Sequence, residues 1–513
     1  MLRIACQETA AKAVAEVVGS ENMLSDDQRY QAILSRDWRF DGVFFVGVSS
    51  TGIYCRSVCS VKAPMRKNCT FYRSAAAAEL AGYRPCLRCR PELAPGQAKV
   101  DAIGRLAIAA ANRIEAGALT QQSVGALAVE LGVSDRHLRR VLKKEFGVSP
   151  IQLAQTQRLL LAKRLLSDTQ LTVADVAFAS GFSSVRRLNA LFQTRYQLQP
   201  STLRKSRTAR KGKGKAAQAA VQPPDMLHCE LAYRPPLNWE ALLSFLKRRA
   251  VVGVEVIEEN RYQRTVRLGK HRGWISVSCL PERNKLDVAL SAGLVPVILP
   301  VLTRVKALFD LAADPLPIAE NLGDLGGRLS GSSVALPCLG VRVPGAFDGF
   351  EVAIRTVLGQ QVSVKAASTL MTRLVETVGE KIETPVVGLG RLTPTPEQVV
   401  QQSVETLSAL GILPSRVRSV LAIAQAVIYN NLQLHNYADI YKTTAALKAL
   451  PGVGDWTVQY ISARVLAYPD AFPAGDLALR QALGVEKASA ASKLAESWRP
   501  WRAYGAIALW QSL

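Results

Sequence analysis

The sequence predicts a multidomain protein that is mainly α-helical and has α+β parts. Its 513 residues are enough for three or four domains of about 100–200 residues each. A hydrophobic fraction of 49% supplies the material for several buried cores. The hydrophobic period also changes along the chain. A cysteine-rich stretch gives way to helical periodicity, then to period-two alternation, and then to helical periodicity again.

The charge of the chain indicates a polyanionic partner. The formal net charge is +23, which favours nucleic acid over a membrane surface. No run of about 18 apolar residues is present, and Glu8 and Glu16 interrupt the stretch where a signal peptide needs an apolar core. We therefore expect a cytoplasmic, nucleoid-associated protein that does not contact membrane. Its nine cysteines are then expected to be thiols or metal ligands rather than disulfides.

Composition and periodicity divide the chain into six segments. The segment at 204–225 is a basic linker, with seven Lys or Arg residues between Arg204 and Lys215 and no acidic residue among them. Such a composition cannot bury a core, so this linker is expected to be a tether that also contacts phosphate. The other segments are an extension expected to be disordered (1–22), a cysteine-rich domain (23–95), a helical domain (100–203), an α+β domain (226–335) and a helical domain (336–513).

Four cysteines form two close pairs, Cys55 with Cys59 and Cys86 with Cys89. Four thiolates in two such pairs match the tetrahedral coordination that Zn²⁺ prefers. The spacing predicts zinc but does not distinguish a structural ion from a reactive centre. The remaining cysteines, Cys69 among them, are expected to lie in cores. Strands are predicted in "FDGVFFVGVSSTGIYC", and a short helix capped by Ser74 is predicted in "SAAAAELAG".

The blocks "FDGVFFVGVSSTGIYCRSVC", "NCTFY" and "AGYRPCLRCRPE" resemble the N-terminal domain of the Ada methylphosphotriester repair proteins. The resemblance covers roughly residues 30–92. It implies that Cys55 is both a zinc ligand and the acceptor of a methyl group from a DNA phosphotriester, in a single irreversible turnover. It also implies DNA contacts by Thr51, Lys62 and Arg84.

A zinc-bound thiolate is chemically suited to this role. The metal keeps the sulfur deprotonated, and a soft sulfur nucleophile is well matched to SN2 attack on a methyl carbon. Methylation of one of four thiolates removes one negative charge from the site, so the affinity for DNA phosphates should rise. The site is therefore expected to act as a sensor of alkylation damage.

The helical segment contains a weak internal repeat. "LAVELGVSDRHLRRVLKKEFGVSP" and "VADVAFASGFSSVRRLNALFQTRYQLQP" each have the pattern helix, glycine turn, serine-capped helix. Two such motifs about 50 residues apart resemble the AraC-type double helix-turn-helix, whose recognition helices enter successive major-groove segments. The resemblance implies that the two recognition helices begin near Ser134 and Ser183. The candidate DNA-binding residues are Arg136, Arg139, Arg186 and Arg187.

The C-terminal segment contains a helix-hairpin-helix signature, Leu-Pro-Gly-Val-Gly at 450–454. Gly452 and Gly454 allow the backbone to approach a phosphate closely, and the N–H groups of the following helix point towards it. Asp476 follows about two dozen residues later, before an apolar helical run. Taken alone, this residue fits a helix N-cap as well as a catalytic carboxylate.

The blocks "PGVGDWTVQY", "FPAGDLALRQ" and "SWRPWRAYGAIALW" resemble the AlkA-type alkylation glycosylases over residues 226–513. The resemblance implies an α+β domain followed by an all-α glycosylase domain, with Asp476 as the catalytic carboxylate. It also implies a base pocket formed by Trp456, Tyr460 and Trp501. Gln361 occupies the position of the leucine that wedges into DNA. Lyase activity is not expected, because Trp456 stands where bifunctional relatives carry a Schiff-base lysine.

The sequence therefore predicts a bifunctional alkylation-repair protein. Its partners would be alkylated and operator double-stranded DNA, and RNA polymerase if it activates transcription. Two alternatives remain open: a zinc-containing regulator without catalysis, and a glycosylase for other lesions such as deaminated purines. Repair of O6-methylguanine is not predicted, because the Pro-Cys-His-Arg site of that activity is absent from the sequence.

Overall fold

The structure is a computed structural model. It describes residues 24–95, 105–169, 171–203, 226–323, 325, 338–430 and 432–512. The predicted disordered extension and the basic linker lie outside these residues. Among the helices described, none combines the length and the apolar character needed to cross a bilayer.

The described segments are mainly helical and contain two small sheets, as the sequence predicts. The α-helices are α1 Asp26–Leu34, α2 Ala75–Leu80, α3 Arg105–Glu115, α4 Ala118–Gln121, α5 Val124–Glu130, α6 Asp135–Phe146, α7 Pro150–Asp168, α8 Val173–Ala179, α9 Val185–Tyr196, α10 Trp239–Lys247, α11 Ile298–Leu308, α12 Pro315–Leu322, α13 Gly349–Leu358, α14 Val364–Val378, α15 Pro396–Val400, α16 Val404–Ser408, α17 Pro414–Tyr429, α18 Ile440–Lys448, α19 Asp455–Arg464, α20 Leu477–Ala482, α21 Ala488–Leu494 and α22 Arg502–Ser512. The strands are β1 Phe45–Val48, β2 Ile53–Arg56, β3 Cys69–Tyr72, β4 Arg84–Pro85, β5 Met226–Ala232, β6 Glu255–Glu258, β7 Arg261–Leu268, β8 His271–Leu280 and β9 Lys285–Ser291. Short 3-10 helices lie at Trp38–Phe40, Arg66–Asn68, Pro91–Leu93, Pro281–Arg283, Ala292–Val297 and Ala495–Trp498.

The cysteine-rich region folds around a four-stranded sheet with the strand order β3-β1-β2-β4. Strand β1 is antiparallel to β2 and β3, and β4 runs parallel to β2. Helix α2 begins where the sequence predicts, because the Ser74 side chain accepts a hydrogen bond from the Ala77 N–H group. Both the strand prediction and the helix prediction for this region are confirmed.

The two predicted helix-turn-helix motifs are present as α5–α6 and α8–α9. Each second helix has a serine N-cap: Ser134 accepts from the His137 N–H group, and Ser184 accepts from the Arg187 N–H group. The glycines of the two turns, Gly132 and Gly181, have positive φ angles. The 19-residue helix α7 joins the two motifs and is buried along most of its length.

The period-two alternation after residue 226 also forms strands as predicted. Strands β5 to β9 make a five-stranded sheet with the order β5-β9-β8-β7-β6, and each neighbouring pair is antiparallel. Apolar side chains of β7, β8 and β9 alternate into the core, and the opposite face is also partly buried, at Thr265 and Trp274 for example. Helix α11 packs against the core side.

The second helix-turn-helix motif and the five-stranded sheet share one apolar core. Leu165 and Phe192 belong to the same cluster of buried side chains as Val277, Val288 and Val301. The sequence separates these two parts by the basic linker at 204–225, so their common core is a result of packing that periodicity does not reveal. Burial of this shared apolar surface ties the DNA-binding helices to the C-terminal half of the chain.

A buried carboxyl group joins the cysteine-rich region to the helix-turn-helix region. The Glu79 carboxyl group accepts hydrogen bonds from the hydroxyl groups of Tyr54 (3.1 Å), Tyr196 (3.0 Å) and Thr156 (2.8 Å). Tyr54 immediately precedes Cys55 on β2, whereas Thr156 lies on α7 and Tyr196 on α9. Burial raises the pKa of Glu79 to about 7, although all three hydroxyl groups favour the ionised form.

We expect this carboxyl group to make stability depend on pH. Its pKa is raised from the ordinary value of 4.5 to about 7 in the folded protein, so the folded state holds the proton more tightly. The free energy of unfolding should therefore fall as the pH rises from about 4.5 to about 7, by at most about 3 kcal/mol. In Glu79→Gln this fall should disappear, and the variant should be more stable than the wild type at pH 8. Urea unfolding at a series of pH values measures both effects.

The matched control is Glu258→Gln, at an exposed carboxylate on β6. It should unfold like the wild type at every pH. If Glu79→Gln showed the wild-type slope between pH 4.5 and 7, the carboxyl group would not be the source of the pH dependence.

Candidate functional site

The four cysteines of the two predicted pairs form one cluster, in which the sulfur atoms all lie within 4.8 Å of one another. Tetrahedral zinc with Zn–S bonds of about 2.3 Å places its sulfur ligands about 3.8 Å apart, so the cluster fits this ion. Cys55 comes from β2 and Cys86 directly follows β4, whereas Cys59 and Cys89 come from the adjoining turns. Three of the thiols are buried and Cys89 is half-buried. The zinc prediction is confirmed.

Arg56, which follows Cys55 on β2, holds the cluster together. Its guanidinium group forms a buried ion pair with Asp41, and its Nη1 donates to the Cys89 carbonyl oxygen at 3.1 Å. The backbone N–H of Arg56 also points at the Cys89 sulfur, 3.4 Å away. These bonds fix the end of β2 against the turn of the second cysteine pair. Apart from the position of Arg56 beside a ligand, nothing in the sequence indicates this role.

The DNA contacts predicted for the cysteine-rich domain lie at its surface. Thr51 and Lys62 are exposed, and Arg84 is half-buried. Thr51 stands in the turn between β1 and β2, and the Arg84 N–H donates to the Gly52 carbonyl oxygen at 2.9 Å. Thr51 and Arg84 are therefore neighbours at one end of the sheet, and Lys62 lies in the loop that follows Cys59.

The arginines predicted on the two recognition helices are all exposed. Arg136 and Arg139 lie in the first turns of α6, and Arg186 and Arg187 lie in the first turn of α9. The Arg139 guanidinium group is paired with Asp135 at 2.8 Å, in a pair whose two side chains remain about half exposed. Exposed pairs of this kind contribute little to stability, so Arg139 can exchange Asp135 for a phosphate at small cost.

The hairpin at 450–454 connects α18 to α19. Gly452 has a φ angle of +71°, and a Cβ atom added to it would lie 2.2 Å from the Ser419 Oγ atom. Gly454 is the N-cap of α19, has no side-chain cap and faces open space. The first N–H groups of α19 are thus free to bind an anion. Gly452 is required by the backbone conformation, and Gly454 leaves the helix end open.

Gly452→Ala should therefore disrupt the hairpin. An alanine at a positive φ angle costs about 1–2 kcal/mol before the clash with Ser419 is counted. We expect a lower melting temperature of the C-terminal domain and weaker binding to duplex DNA. Calorimetry and a DNA-binding titration measure the two effects. Gly454→Ala is the control: it should affect stability by less than 1 kcal/mol, because nothing lies within 4 Å of the added atom. Equal losses in the two variants would contradict the steric argument.

Asp476 lies at a cavity of about 1070 Å³ in the C-terminal half. It is the N-cap of α20, where its Oδ1 atom accepts from the Leu479 N–H group at 3.0 Å. Two indole N–H groups also donate to this carboxylate: Trp510 Nε1 to Oδ1 at 3.1 Å and Trp456 Nε1 to Oδ2 at 2.9 Å. Three N–H donors orient the carboxylate, which is half-buried at the cavity wall. The N-cap role that the sequence allows for Asp476 is therefore observed, and the same carboxylate lines the cavity.

Aromatic rings form one wall of this cavity. The Trp456 and Tyr460 rings are stacked, with centroids 5.5 Å apart, and the Trp510 ring lies 5.6 Å from Tyr460. The third predicted ring, Trp501, does not line this cavity. It packs edge-on against Tyr504, 5.6 Å away, just before α22 begins. Trp510, near the other end of α22, takes the predicted place of Trp501 because the packing of α22 against α20 turns it towards Asp476.

Gln361 lies at the rim of the cavity, in the turn between α13 and α14. Its side chain is exposed and its φ angle is +54°, an unusual conformation for a residue other than glycine. The preceding residue, Gln360, donates its Nε2 to the Gly452 carbonyl oxygen and to Thr457 Oγ1, each at 2.9 Å. The turn is thus anchored to the hairpin by the residue that directly precedes the exposed Gln361.

Four family models match successive parts of the chain. They are described as the metal binding domain of Ada (28–92), a helix-turn-helix domain (127–206), the AlkA N-terminal domain (228–348) and the HhH-GPD superfamily of base excision DNA repair proteins (354–497). The fold and the sites thus define a zinc-containing DNA repair protein, which binds DNA and combines an Ada-type domain, a helix-turn-helix and a base-excision domain.

The chain belongs to the family of bifunctional transcriptional activator/DNA repair enzymes AlkA. It is 36% identical to the protein described as the probable bifunctional transcriptional activator/DNA repair enzyme AlkA of Mycobacterium tuberculosis. The alignment spans 491 residues, which are 94% of this chain and 96% of that protein. DNA-3-methyladenine glycosylase 2 of Escherichia coli is 32% identical over 282 residues, or 55% of this chain and 95% of that protein. The bifunctional Ada protein of E. coli is 39% identical over 143 residues, or 28% of this chain and 38% of that protein.

Proposed function

We propose that this protein repairs and reports DNA alkylation damage with two separate active sites. Cys55 accepts methyl groups from DNA methylphosphotriesters, and Asp476 drives the excision of alkylated purines of the 3-methyladenine type. The observation that carries this proposal is the Asp476 carboxylate, which two indole N–H groups aim at an aromatic-lined cavity, on a chain that also holds a four-thiol cluster.

Methyl transfer at Cys55 is a direct displacement. Cys55, Cys59, Cys86 and Cys89 would hold Zn²⁺, which when bound keeps their sulfur atoms deprotonated. The Cys55 thiolate attacks the methyl carbon, the carbon–oxygen bond breaks, and the phosphodiester anion leaves with the electron pair. The thioether that forms on Cys55 is stable, so each protein molecule reacts once.

Base excision at Asp476 requires the damaged nucleotide to leave the DNA stack. The hairpin glycines, Gly452 and Gly454, bring the backbone to the phosphates, and Gln361 would occupy the space left by the flipped base. Trp456, Tyr460 and Trp510 stack against that base, because electron-rich rings attract cationic alkylpurines. As the N-glycosidic bond breaks, positive charge develops on the sugar, and the Asp476 carboxylate stabilises it until water adds to C1′.

The other predicted residues and segments would serve the regulatory role. Thr51, Lys62 and Arg84 would contact the DNA that carries the phosphotriester. Arg136, Arg139, Arg186 and Arg187 would contact operator DNA. We propose functional units at 23–95, 100–203, 226–335 and 336–513, with 204–225 as a basic tether. Activation of transcription would bring RNA polymerase as a partner, and work on chromosomal and operator DNA would place the protein in the cytoplasm at the nucleoid.

The test is one duplex that carries both lesions. Purified full-length protein with bound zinc is mixed with DNA that contains labelled methylphosphotriesters and 3-methyladenine. We expect one equivalent of label on the peptide containing Cys55, and release of free 3-methyladenine over many turnovers. Label on another cysteine would overturn the Cys55 assignment. Zinc-replete protein that transferred no methyl group and released no base would instead be a regulator without catalysis.

A further inference from the structure

The helices around the first helix-turn-helix motif pack directly against the C-terminal half of the chain. Glu115, at the end of α3, forms an ion pair with Lys306 on α11. The Arg113 guanidinium group, also on α3, lies over the Tyr437 ring, 4.8 Å from its centroid. The loop that carries Tyr437 leads into α18, the first helix of the hairpin. Charged and aromatic contacts therefore hold these two parts of the chain together.

The Arg113 side chain also connects this interface to the motif itself. Its Nη2 donates to the Glu130 carboxylate at 2.8 Å, and Glu130 is the last residue of α5. His435 stacks on Tyr437, with the ring centroids 3.6 Å apart, and Glu130 is one of its electrostatic partners. One series of contacts thus runs from α5 through Arg113 to the loop that precedes α18.

The turn of the motif lies against α18. A Cβ atom added to Gly132 would lie 3.3 Å from the Lys442 Nζ atom. Gly132 stands two residues before Ser134, which caps the recognition helix α6. Lys442 lies in the first turn of α18, and the other end of α18 leads into the hairpin at 450–454. Because the first turns of a recognition helix are the ones that contact bases, α18 extends between two elements proposed to bind DNA.

No more than about one turn of DNA separates the start of α6 from the hairpin. The nine residues of α18 rise by about 13 Å. The Lys442 side chain, the two residues up to Ser134 and the hairpin loop extend this distance to about 35 Å at most. One turn of B-DNA is about 34–36 Å long. A single duplex can therefore contact both elements within about one turn of each other.

The two elements and the helix between them are rich in positive charge. Helix α18 contains no acidic residue, and Asp439, the carboxylate that precedes it, is its N-cap. A duplex along this surface would gain phosphate contacts at both elements, because each neutralised phosphate releases counterions. The exposed basic side chains are Arg136, Arg139, Arg140, Lys143 and Lys144 on α6, and Lys442 and Lys448 on α18.

We propose that α6 of the first helix-turn-helix motif also binds the duplex that carries the damaged base, and so extends the DNA-binding surface of the glycosylase. Arg136 and Arg140 contact phosphates within about one helical turn of the lesion, while the hairpin binds beside the lesion itself. This inference rests on the proposed glycosylase activity. It gives the motif a second use beside operator binding, namely to hold the enzyme on damaged DNA.

The test compares a short and a long duplex that carry the same lesion. Single-turnover release of 3-methyladenine is measured with full-length protein on duplexes of about 11 and about 41 base pairs, or about one and four turns, with the lesion at the centre. The protein concentration that gives half of the maximal rate reports the affinity. We expect the wild type to need about tenfold less protein on the long duplex, because the short one ends about half a turn from the lesion.

Replacement of Arg136 and Arg140 together by alanine should remove this advantage. The double variant should need about tenfold more protein than the wild type on the long duplex. On the short duplex it should keep the wild-type affinity and maximal rate, which also shows that it is folded. The slope of log affinity against log salt concentration should become shallower by about two on the long duplex. The matched control is Lys270→Ala with Arg283→Ala, which removes the same charge from exposed turns of the five-stranded sheet and should match the wild type throughout.

Several results would overturn this inference. An unchanged affinity of the α6 variant for the long duplex would exclude α6 from the bound lesion duplex. Tighter binding of the long duplex by that variant would mean that the motif and the hairpin compete for separate DNA molecules. Equal losses on both duplexes would make the two arginines structural, and an equal loss in the control would reduce the effect to net charge. Wild-type protein that released base from neither duplex would instead refute the proposed function itself.

Discussion

Asp476→Asn should lower the rate of base excision by about 10³-fold. A full negative charge about 4 Å from the developing positive charge on the sugar is worth about 4 kcal/mol at an effective dielectric constant of about 20, which corresponds to this factor in rate. Asparagine keeps the size of the side chain and one oxygen for the Leu479 N–H group. The asparagine NH₂ group would face one of the two indole N–H donors, and two donors cannot form a hydrogen bond with each other. The side chain at 476 would therefore also be less well oriented.

The measurement is single-turnover release of 3-methyladenine with protein in excess over DNA, which separates the chemical step from DNA affinity. Asp455→Asn is the matched control, because this exposed carboxylate begins α19 and is not among the residues that line the cavity. It should retain the wild-type rate. Excision by Asp476→Asn within tenfold of the wild type would exclude the carboxylate as the main source of catalysis and favour the aromatic wall instead.

Features that depend on local spacing could be predicted from the sequence. The cysteine pairs at 55–59 and 86–89 meet in one cluster because Cys55 lies on β2, Cys86 directly follows β4, and these two strands pair in one sheet. Ser74 and Ser134 begin helices as predicted, and Ser184 caps the helix predicted to begin near Ser183, because a serine hydroxyl satisfies an N–H group that the helix itself leaves free. The alternation of apolar and polar residues after residue 226 forms strands, because successive side chains of a strand point to opposite faces of the sheet.

Features that depend on packing between distant segments could not be predicted. The block "SWRPWRAYGAIALW" contains three tryptophans, and its periodicity predicts a helix without its rotation relative to α20. Trp498 is buried in the core, Trp501 packs on Tyr504, and only Trp510 reaches Asp476. The arginines at the cavity of Asp476 show the same limit, since Arg249 and Arg464 both line it and stand in segments with no motif in common.

The buried carboxyl group of Glu79 links the strand that carries Cys55 to a helix of the second helix-turn-helix motif. Tyr54 is covalently next to Cys55 and donates to the same carboxyl group as Tyr196 of the second helix-turn-helix motif. Strand β2 and helix α9 are therefore linked through one buried carboxyl group. Strand β2 and helix α9 belong to one packed unit, which suits the proposed role of reporting damage at Cys55 to operator DNA.

Cys55→Ser should abolish methyl transfer from methylphosphotriesters while base excision continues. A serine hydroxyl group stays protonated at neutral pH and is a harder nucleophile than a thiolate, so displacement at a methyl carbon should fall below detection. The measurement is covalent label per protein after reaction with labelled DNA, together with the zinc content and the excision rate of the same preparation. Three thiol ligands remain in this variant: Cys59, Cys86 and Cys89. We therefore expect it to bind zinc more weakly than the wild type, but still to hold zinc when the metal is supplied at high concentration.

Cys69→Ser is the control, because it also removes one thiol group but leaves all four cysteines of the cluster in place. Cys69 is buried on β3 of the same sheet, with its sulfur 3.4 Å from the Met65 carbonyl oxygen, and it lies outside the four-thiol cluster. This variant should accept one methyl group like the wild type. If Cys55→Ser with zinc bound still became labelled, another ligand of the cluster would be the acceptor. Label that moved to Cys59, Cys86 or Cys89 would show that the metal activates its thiolates alike and that access of DNA, rather than the sulfur itself, selects Cys55 in the wild type.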